Sequence, residues 1–287
     1  MKLNWNFVEL MKKGREVYIN SKSFQEFFKD KAGIKDNDKI LDVGCGIGTV
    51  PHLLNKIYGK NIEILGIDLE PDLIRWGQKH WGNRENIHLS QGDVCNLNFS
   101  TNEFNVIISF GLLEWLENPL TGLNEMIRVN KSNGEFITLV IEKSKFEKFP
   151  SKEQDQEFYK DYLKGIKKLG HPIKNEGNYI EGLFSKRDFN TSSFEFLIEN
   201  KTIITTELLE LWEKTYQQES LSDYIKTSSD FYFQFLKQVG WTKTRLIKYL
   251  DEEFSLEKII EFYREHLGEE MGRRETLVLL KSSKNNE

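Results

Sequence analysis

The feature that most constrains the fold is a glycine-rich stretch at Lys39–Val50, K-I-L-D-V-G-C-G-I-G-T-V. An apolar run leads into three glycines at every second position, Gly44, Gly46 and Gly48, and helix-like spacing of apolar residues follows. Glycine adopts positive φ and lets the main chain approach a ligand without a Cβ in the way. The stretch predicts a buried strand, a tight turn and a helix, the first βα unit of a nucleotide-binding α/β fold. A turn that holds no ligand is the alternative.

Acidic residues stand at the ends of the first two predicted strands. Asp42 lies inside the end of the first strand, and the second strand, Ile62–Asp68, ends in Asp68. Asp68 follows the last loop glycine by about twenty residues, where a nucleotide-binding fold places the acid that binds the ribose hydroxyls. It also precedes Pro71, a typical first residue of a helix, so Asp68 as a helix cap is the alternative interpretation. The spacing favours ribose binding.

Two more predicted strands also run into short polar or glycine-containing turns. The strand Asn86–Ser90 leads into Q-G-D-V at Gln91–Val94, and Phe104–Ser109 leads into F-G-L-L-E-W-L. Gly-Asp is a common turn dipeptide and is weak evidence by itself. Taken as the third motif in a series, it indicates one more ligand-contacting loop at the same edge of the sheet.

In order and spacing, these four motifs resemble those of class I S-adenosylmethionine-dependent methyltransferases. The loop reads G-x-G-x-G, because Thr49 stands where the dinucleotide fingerprint has its last glycine. The resemblance implies that Asp68 binds ribose, that Asp93 and Val94 contact adenine, and that Arg15 pairs with the methionine carboxylate of S-adenosylmethionine. A surface salt bridge is the alternative for Arg15. The full set of implied donor-binding residues is Arg15, Asp42, Gly44, Cys45, Gly46, Gly48, Asp68, Leu69, Asp93, Val94, Ser109 and Phe110.

The resemblance also implies a Rossmann-like α/β fold with a seven-stranded methyltransferase sheet flanked by helices. We expect Thr242–Leu250 to be a strand and Thr276–Leu280 to be the final edge strand. The long aromatic-rich segment between the fifth strand and the helix predicted at Phe231–Val239 is expected to form a mostly helical substrate lid. The predicted divisions are an N-terminal helical cap over 1–35, a donor-binding core over 36–146 and 229–287, and the lid insertion over 147–228.

Candidate residues for the methyl acceptor are few. His171, in the H-P-I-K turn of the predicted lid, is the histidine we would test as a general base. A solvated loop histidine is the plainer interpretation. Tyr18, Tyr179 and Arg187 are candidates for contacting the substrate. No cluster of His, Cys and Asp has metal-ligand spacing in the sequence, so no metal is expected.

The amino-acid composition limits the kinds of binding partner that we expect for this protein. The net charge is −5 and the sequence pI is about 5.7, which gives no broad basic field for nucleic acid. The segment after the fourth strand, Ser109–Leu112, lacks the Asn-Pro-Pro-Tyr-like element common in DNA and protein amino-methyltransferases. No apolar run reaches membrane-spanning length, and the two cysteines lie in presumed ligand loops. We therefore expect a cytoplasmic protein, a monomer or homodimer, without nucleic-acid or membrane partners.

The leading functional hypothesis is methyl transfer from S-adenosylmethionine, with S-adenosylhomocysteine as product, to an oxygen or nitrogen of a small metabolite or peptide. A carboxylate O-methyltransferase is a variant of this hypothesis, because such an acceptor needs no general base. An NAD-dependent oxidoreductase shares the first βα unit and the ribose acid and is one alternative. A non-catalytic S-adenosylmethionine-binding protein is the other.

Overall fold

The fold is built on one central sheet, in which the parallel strands all end at the same edge. The computed structural model describes residues 8, 12, 15–81, 84–171, 176–215, 229–253 and 255–285. The strands are β1 (Lys39–Val43), β2 (Glu63–Asp68), β3 (Ile87–Gln91), β4 (Phe104–Phe110), β5 (Asn130–Ile141), β6 (Glu147–Phe149), β7 (Phe189–Ile203) and β8 (Glu270–Lys284). The helices are α1 (Lys22–Asp30), α2 (Thr49–Tyr58), α3 (Pro71–Trp81), α4 (Pro119–Val129), α5 (Glu153–Lys168), α6 (Glu176–Ser185), α7 (Thr206–Thr215), α8 (Lys243–Glu253) and α9 (Leu256–Glu265). Residues 15–19 and 229–236 are also helical.

The strand order is β3-β2-β1-β4-β5-β8, and β7 pairs with the far side of β8. Strands β1 to β5 are parallel, and β8 runs antiparallel to both β5 and β7. In the register, Val43 lies opposite Ile67 on one side and Ser109 on the other. The loops after β1, β2 and β4 therefore leave from one common edge, the carboxyl edge of the sheet.

Both faces of the sheet are covered, because the central strands are apolar on both sides. On one face Ile40, Ile64 and Ile108 pack with α1, α2 and the helical turn at 15–19. On the other face Leu41 and Ile107 pack with α4 and α6. Residues buried on both faces are typical of a parallel sheet. The fold class predicted from the motifs is confirmed, with the short β6 as an eighth strand beside the seven expected.

The sequence prediction for the second half of the chain was wrong in three places. Residues 189–203, inside the segment expected to be helical, form β7, whose side chains alternate between buried and exposed positions over only part of its length. The segment 242–250, expected to be a strand, is helical, because Leu246 and Leu250 bury one helix face and the Thr242 hydroxyl caps the helix start by accepting from the Arg245 N–H. Strand β8 is longer than Thr276–Leu280 and lies between β5 and β7, so it is not an edge strand.

Helix α5, residues 229–236 and helix α8 pack together through a group of aromatic and aliphatic side chains, which we call the aromatic layer. Gly165 of α5 allows the close approach, because a Cβ there would lie 2.2 Å from the carbonyl oxygen of Phe235. The indole N–H of Trp241 donates to Asp161 of α5 over 3.0 Å. The buried members of the aromatic layer are Phe158, Tyr162, Ile166, Phe235, Leu236, Trp241, Leu246 and Leu250.

The predicted cap over 1–35 includes the helical turn at 15–19 and α1, and most of its first fourteen residues lie outside the described part of the chain. Residues 172–175 and 216–228 of the predicted lid insertion also lie outside it. No helix among the described residues is long and apolar enough to cross a membrane.

Candidate active site

The glycine turn after β1 adopts the backbone conformation that its sequence requires. Gly44, Gly46 and Gly48 have φ of +69°, +57° and +78°. A Cβ at Gly44 would contact Leu112 at 3.0 Å, and one at Gly48 would contact Leu89 at 2.7 Å. A Cβ at Gly46 would meet no atom within 4 Å. Gly44 thus packs against the loop after β4 and Gly48 against β3, while Gly46 faces open space next to the carboxyl edge.

Asp68 holds this turn against the end of β2. Its Oδ2 accepts the Gly46 N–H over 2.8 Å, and its Oδ1 accepts the Glu70 N–H over 2.9 Å. The second bond lies just before Pro71, the first residue of α3, so Asp68 also positions the chain that leads into this helix. Because each carboxylate oxygen has more than one lone pair, both oxygens retain capacity for a ligand's hydroxyl groups.

Asp42 is a buried carboxylate next to the same turn. Its side chain is 1% exposed, and neither oxygen has a hydrogen-bond partner among the described residues. Burial raises the pKa of Asp42 to about 8, although the nearby Arg15 opposes the shift. The guanidinium of Arg15 lies 4.0 Å from the centre of the Phe110 ring. Arg15 and Phe110 are thereby brought to the turn from two distant parts of the sequence.

The other predicted donor residues also lie at the carboxyl edge. Asp93 is exposed and its Oδ1 accepts the Cys95 N–H over 2.8 Å, while Val94 is buried. Leu69 directly follows β2 and is 67% exposed. Cys45 and Ser109 are buried, and burial raises the pKa of the Cys45 thiol. We call the glycine turn, Asp42, Asp68 and Asp93 the donor half of the site.

A second group of charged side chains lies beyond the ends of β4 and β5, and sequence reasoning missed it. Glu114 follows β4, Glu142 and Lys143 follow β5, and Glu176 begins α6. Glu114, Glu142 and Glu176 are 3%, 3% and 0% exposed. We call these four residues the acceptor half of the site. Its signal in the sequence was weak: charged residues directly after β5 and four positions after β4.

Lys143 lies among the carboxylates of the acceptor half. Its Nζ is 3.9 Å from Glu114 Oε1, 4.0 Å from Glu176 Oε1 and 4.6 Å from the centre of the Trp115 ring. Burial, together with a hydrogen bond to the Glu142 carboxyl group, raises the pKa of Glu176 to about 7. Burial also raises the pKa of Glu114, and Lys143 partly opposes this.

The aromatic layer covers the acceptor half. Trp115 packs against the layer, and the Tyr159 hydroxyl of α5 donates to the Lys143 carbonyl over 2.8 Å. The Nδ1 of His171 lies 3.0 Å from the carbonyl oxygen of Glu114, so His171 stands beside this half. The layer therefore contacts the two loops that carry Glu114 and Lys143.

The structure separates the remaining predicted substrate residues. The Tyr18 hydroxyl donates to Glu275 of β8, which brings it close to the carboxyl edge. Tyr179 lies one turn from Glu176 with its side chain 38% exposed. Arg187 precedes the start of β7, near the amino end of β5, and its Nε donates to Asn124 over 3.0 Å. Arg187 is therefore not brought together with the other candidates.

Comparison with known proteins agrees with this geometry. A family model described as a methyltransferase domain matches residues 34–221, more than half of the chain. The chain belongs to this family of class I, S-adenosylmethionine-dependent methyltransferases. The family predicted from the four motifs is confirmed, and the methyltransferase assignment replaces the alternative of an NAD-dependent oxidoreductase.

Individual relatives of this methyltransferase match over shorter stretches or at low identity. Demethylmenaquinone methyltransferases of Staphylococcus carnosus (strain TM300) and Staphylococcus aureus (strain JH9) are each 36% identical over 37% of this chain. The chain spans 44% of the length of each of them. A Bacillus halodurans C-125 protein assigned as a methyltransferase superposes with a TM-score of 0.53 at 16% identity, covering 92% of this chain and all of that one. The last similarity shows a shared fold.

Proposed function

We propose that this methyltransferase transfers the methyl group of S-adenosylmethionine to an oxygen or nitrogen of a small organic molecule or peptide. The observation that carries the proposal is the donor half of the site. A glycine turn with open space at Gly46 lies beside Asp42, a buried carboxylate that lacks a hydrogen-bond partner among the described residues. A buried unpaired acceptor is costly, so a ligand that supplies donors there is expected.

The donor half fits S-adenosylmethionine in the chemistry of its side chains. Asp42 would accept hydrogen bonds from the α-ammonium of the methionine portion, and Arg15, beside it, would bind the α-carboxylate. Asp68 would accept the ribose hydroxyl protons, and the exposed Leu69 would contact the adenine ring. Asp93 and the Val94 N–H would contact the adenine edge. Bound S-adenosylmethionine supplies an electrophilic methyl group on a sulfonium.

The chain's own residues align the acceptor with the methyl group and exclude water from the site. The loops after β4 and β5 lie beyond the donor half, and the aromatic layer covers them through Trp115 and Tyr159. We propose that α5, residues 229–236 and α8 form the roof of the acceptor pocket. This proposal changes the lid predicted over 147–228: it keeps α5 and adds residues 229–236 and α8, which the sequence prediction had assigned to the core.

His171 stays a candidate general base. If its Nδ1 donates to the Glu114 carbonyl, Nε2 is the nitrogen left to accept a proton from a hydroxyl or amine acceptor. The demethylmenaquinone acceptor in the relatives' name is not carried over, because those relatives match only 37% of this chain.

Calorimetry with S-adenosylhomocysteine and with NAD tests the proposed donor. We expect S-adenosylhomocysteine to bind and NAD to produce no heat of binding. Turnover, followed as S-adenosylhomocysteine release across a panel of amines, alcohols and acids, then tests catalysis. Failure to bind S-adenosylhomocysteine would refute the proposal. Binding without turnover on any member of a broad panel would favour a non-catalytic S-adenosylmethionine-binding protein.

A further inference from the structure

The acceptor half contains a buried carboxylate, Glu114, on the loop that follows β4. Glu114 is 3% exposed, and its Oε2 has no hydrogen-bond partner among the described residues. Its Oε1 lies 3.9 Å from Lys143 Nζ, beyond the 2.7–3.2 Å of an ordinary N–H···O hydrogen bond. Glu142 and Glu176 also each have one oxygen without a partner, but their Oε1 atoms accept backbone N–H groups, from Gly177 over 2.9 Å and from Lys143 over 3.2 Å.

Carboxyl groups outnumber basic groups in this half. Three of its four members, Glu114, Glu142 and Glu176, are buried acids, and the fourth is Lys143. Lys143 provides one positive charge, and it lies 3.9 Å and 4.0 Å from the nearest oxygens of Glu114 and Glu176. A buried carboxylate is unfavourable unless a counter-charge or hydrogen-bond donors balance it. A bound cation with N–H donors would supply both.

The walls of this half are also suited to a cation. The Lys143 ammonium lies 4.6 Å from the centre of the Trp115 ring, which shows that an ammonium group fits against this ring. Within the described part of the chain, no three His, Cys, Asp or Glu side chains converge as ligands of a metal ion. The arrangement of carboxylate and aromatic face thus fits an organic ammonium better than a bare metal cation.

Glu114 also lies on a loop that contacts the donor half. It follows the last residue of β4 by four positions, and Leu112 of the same loop packs against Gly44 of the glycine turn. A group bound to Glu114 would therefore lie close to the donor half and to Lys143. That is the place where an acceptor atom must stand for in-line transfer.

We propose that Glu114 binds the ammonium group of the methyl acceptor, so that the substrate is a primary or secondary amine. The inference rests on the proposed methyltransferase function and names its substrate class. Before reaction the ammonium gives a proton to the Glu114 carboxylate, which frees the nitrogen lone pair. The new bond then forms between this nitrogen and the methyl carbon, while the carbon–sulfur bond breaks and its electron pair stays on sulfur. A carboxylate acceptor does not fit, because Glu114 would repel it.

Three probes of similar shape test this inference: benzylamine, benzyl alcohol and benzoate, each titrated by calorimetry into protein saturated with S-adenosylhomocysteine. We expect benzylamine to bind about tenfold more tightly than either of the others, as for a buried charge-assisted hydrogen bond. Glu114→Gln keeps the shape but removes the charge, so it should abolish the preference. Glu195→Gln, at an exposed carboxylate that pairs with Lys145, is the matched control and should keep it.

The outcomes separate the two proposals. If S-adenosylhomocysteine does not bind the wild-type protein, the proposed function fails. If it binds but benzylamine binds no better than benzyl alcohol, the ammonium site is refuted and the proposed function stands. A preference that persists in Glu114→Gln also refutes the role of Glu114. Should that variant fail to fold, Glu114→Asp retains the charge on a shorter side chain, and it should bind benzylamine more weakly while still preferring it to benzyl alcohol. An unchanged benzylamine affinity in Glu114→Asp would refute the assignment.

Discussion

The donor and acceptor halves of the site both hold polar groups at the edge of an apolar sheet, but they do so through different contacts. In the donor half the contacts come from the backbone, since the N–H groups of Gly46 and Glu70 donate to Asp68. In the acceptor half, Glu114 from the loop after β4 and Glu176 of α6 lie 3.9 Å and 4.0 Å from Lys143. The first arrangement is local in sequence, and the second exists only when distant segments fold together. Donor recognition is thus encoded in short motifs, whereas acceptor recognition is encoded in tertiary contacts.

The sharpest test of the local encoding is Gly46→Val. Its φ of +57° disfavours a β-branched residue, and the new side chain would enter the open space beside the turn. We expect affinity for S-adenosylhomocysteine to fall by about a thousandfold, since the ligand's own volume is filled. Gly59→Val is the matched control, because Gly59 has φ of +64° and equally open surroundings outside the site. Equal losses of donor affinity in both variants would show that backbone strain, and not the site, is responsible.

The pH dependence of the free energy of unfolding tests the protonation of Asp42. Its pKa in the folded protein is about 8, above the ordinary 3.8, so the folded state binds a proton that the unfolded state releases. Stability should therefore fall as pH rises from about 4 to about 8 and change little above that. Asp42→Asn removes this term, and we expect it to gain roughly 2–4 kcal/mol relative to wild type between pH 5 and pH 8.

Urea unfolding of both proteins at pH 5, 6.5 and 8 measures this difference. Glu176 and Glu275, whose pKa values burial raises to about 7, contribute with the same sign in both proteins and cancel. A wild-type and variant difference that stays constant with pH would mean that Asp42 is ionised throughout.

Asp68→Ala should weaken S-adenosylhomocysteine binding by about tenfold or more, because charge-assisted hydrogen bonds to ribose are each worth roughly 1.5–3 kcal/mol. The variant also releases the Gly46 N–H, so part of the loss would come from a looser turn. Asp68→Asn keeps an acceptor oxygen and should lose less. An unchanged affinity in folded Asp68→Ala would leave Asp68 with only its role in holding the glycine turn.

The smallest expected effect lies in the aromatic layer. Gly165→Ala places a Cβ against the Phe235 carbonyl oxygen, and the resulting overpacking should cost about 1–3 kcal/mol of stability. Turnover should fall while donor affinity stays unchanged. Gly182→Ala is the matched control, since it is also a helical glycine but has no atom within 4 Å of the added Cβ. It should be neutral or slightly stabilising. Lost donor affinity in Gly165→Ala would contradict the division between the halves.

The same division explains what the sequence could predict. The glycine turn, Asp42 and Asp68 were predictable because a strand, a turn and a helix must follow one another in a fixed order there. Glu114 and Glu176 were not, since nothing in the sequence indicates that residues 62 positions apart become neighbours of one lysine. The assignment of residues 242–250 failed for a related reason. They were predicted to form a strand, but packing against α5 buries Leu246 and Leu250 on one side of a helix.

In the sequence, β7 separates the two parts of the aromatic layer, since α5 precedes this strand and α8 follows it. A graft of the layer onto a related enzyme would thus have to carry both flanking segments, because Trp241 donates to Asp161 of α5 and Gly165 of α5 lies against the Phe235 carbonyl. Exchange of either segment alone would leave an unmatched surface. We therefore expect recombination within this family to transfer substrate preference only when both segments are exchanged together. If β7 itself is kept, this takes two crossovers on each side of the strand.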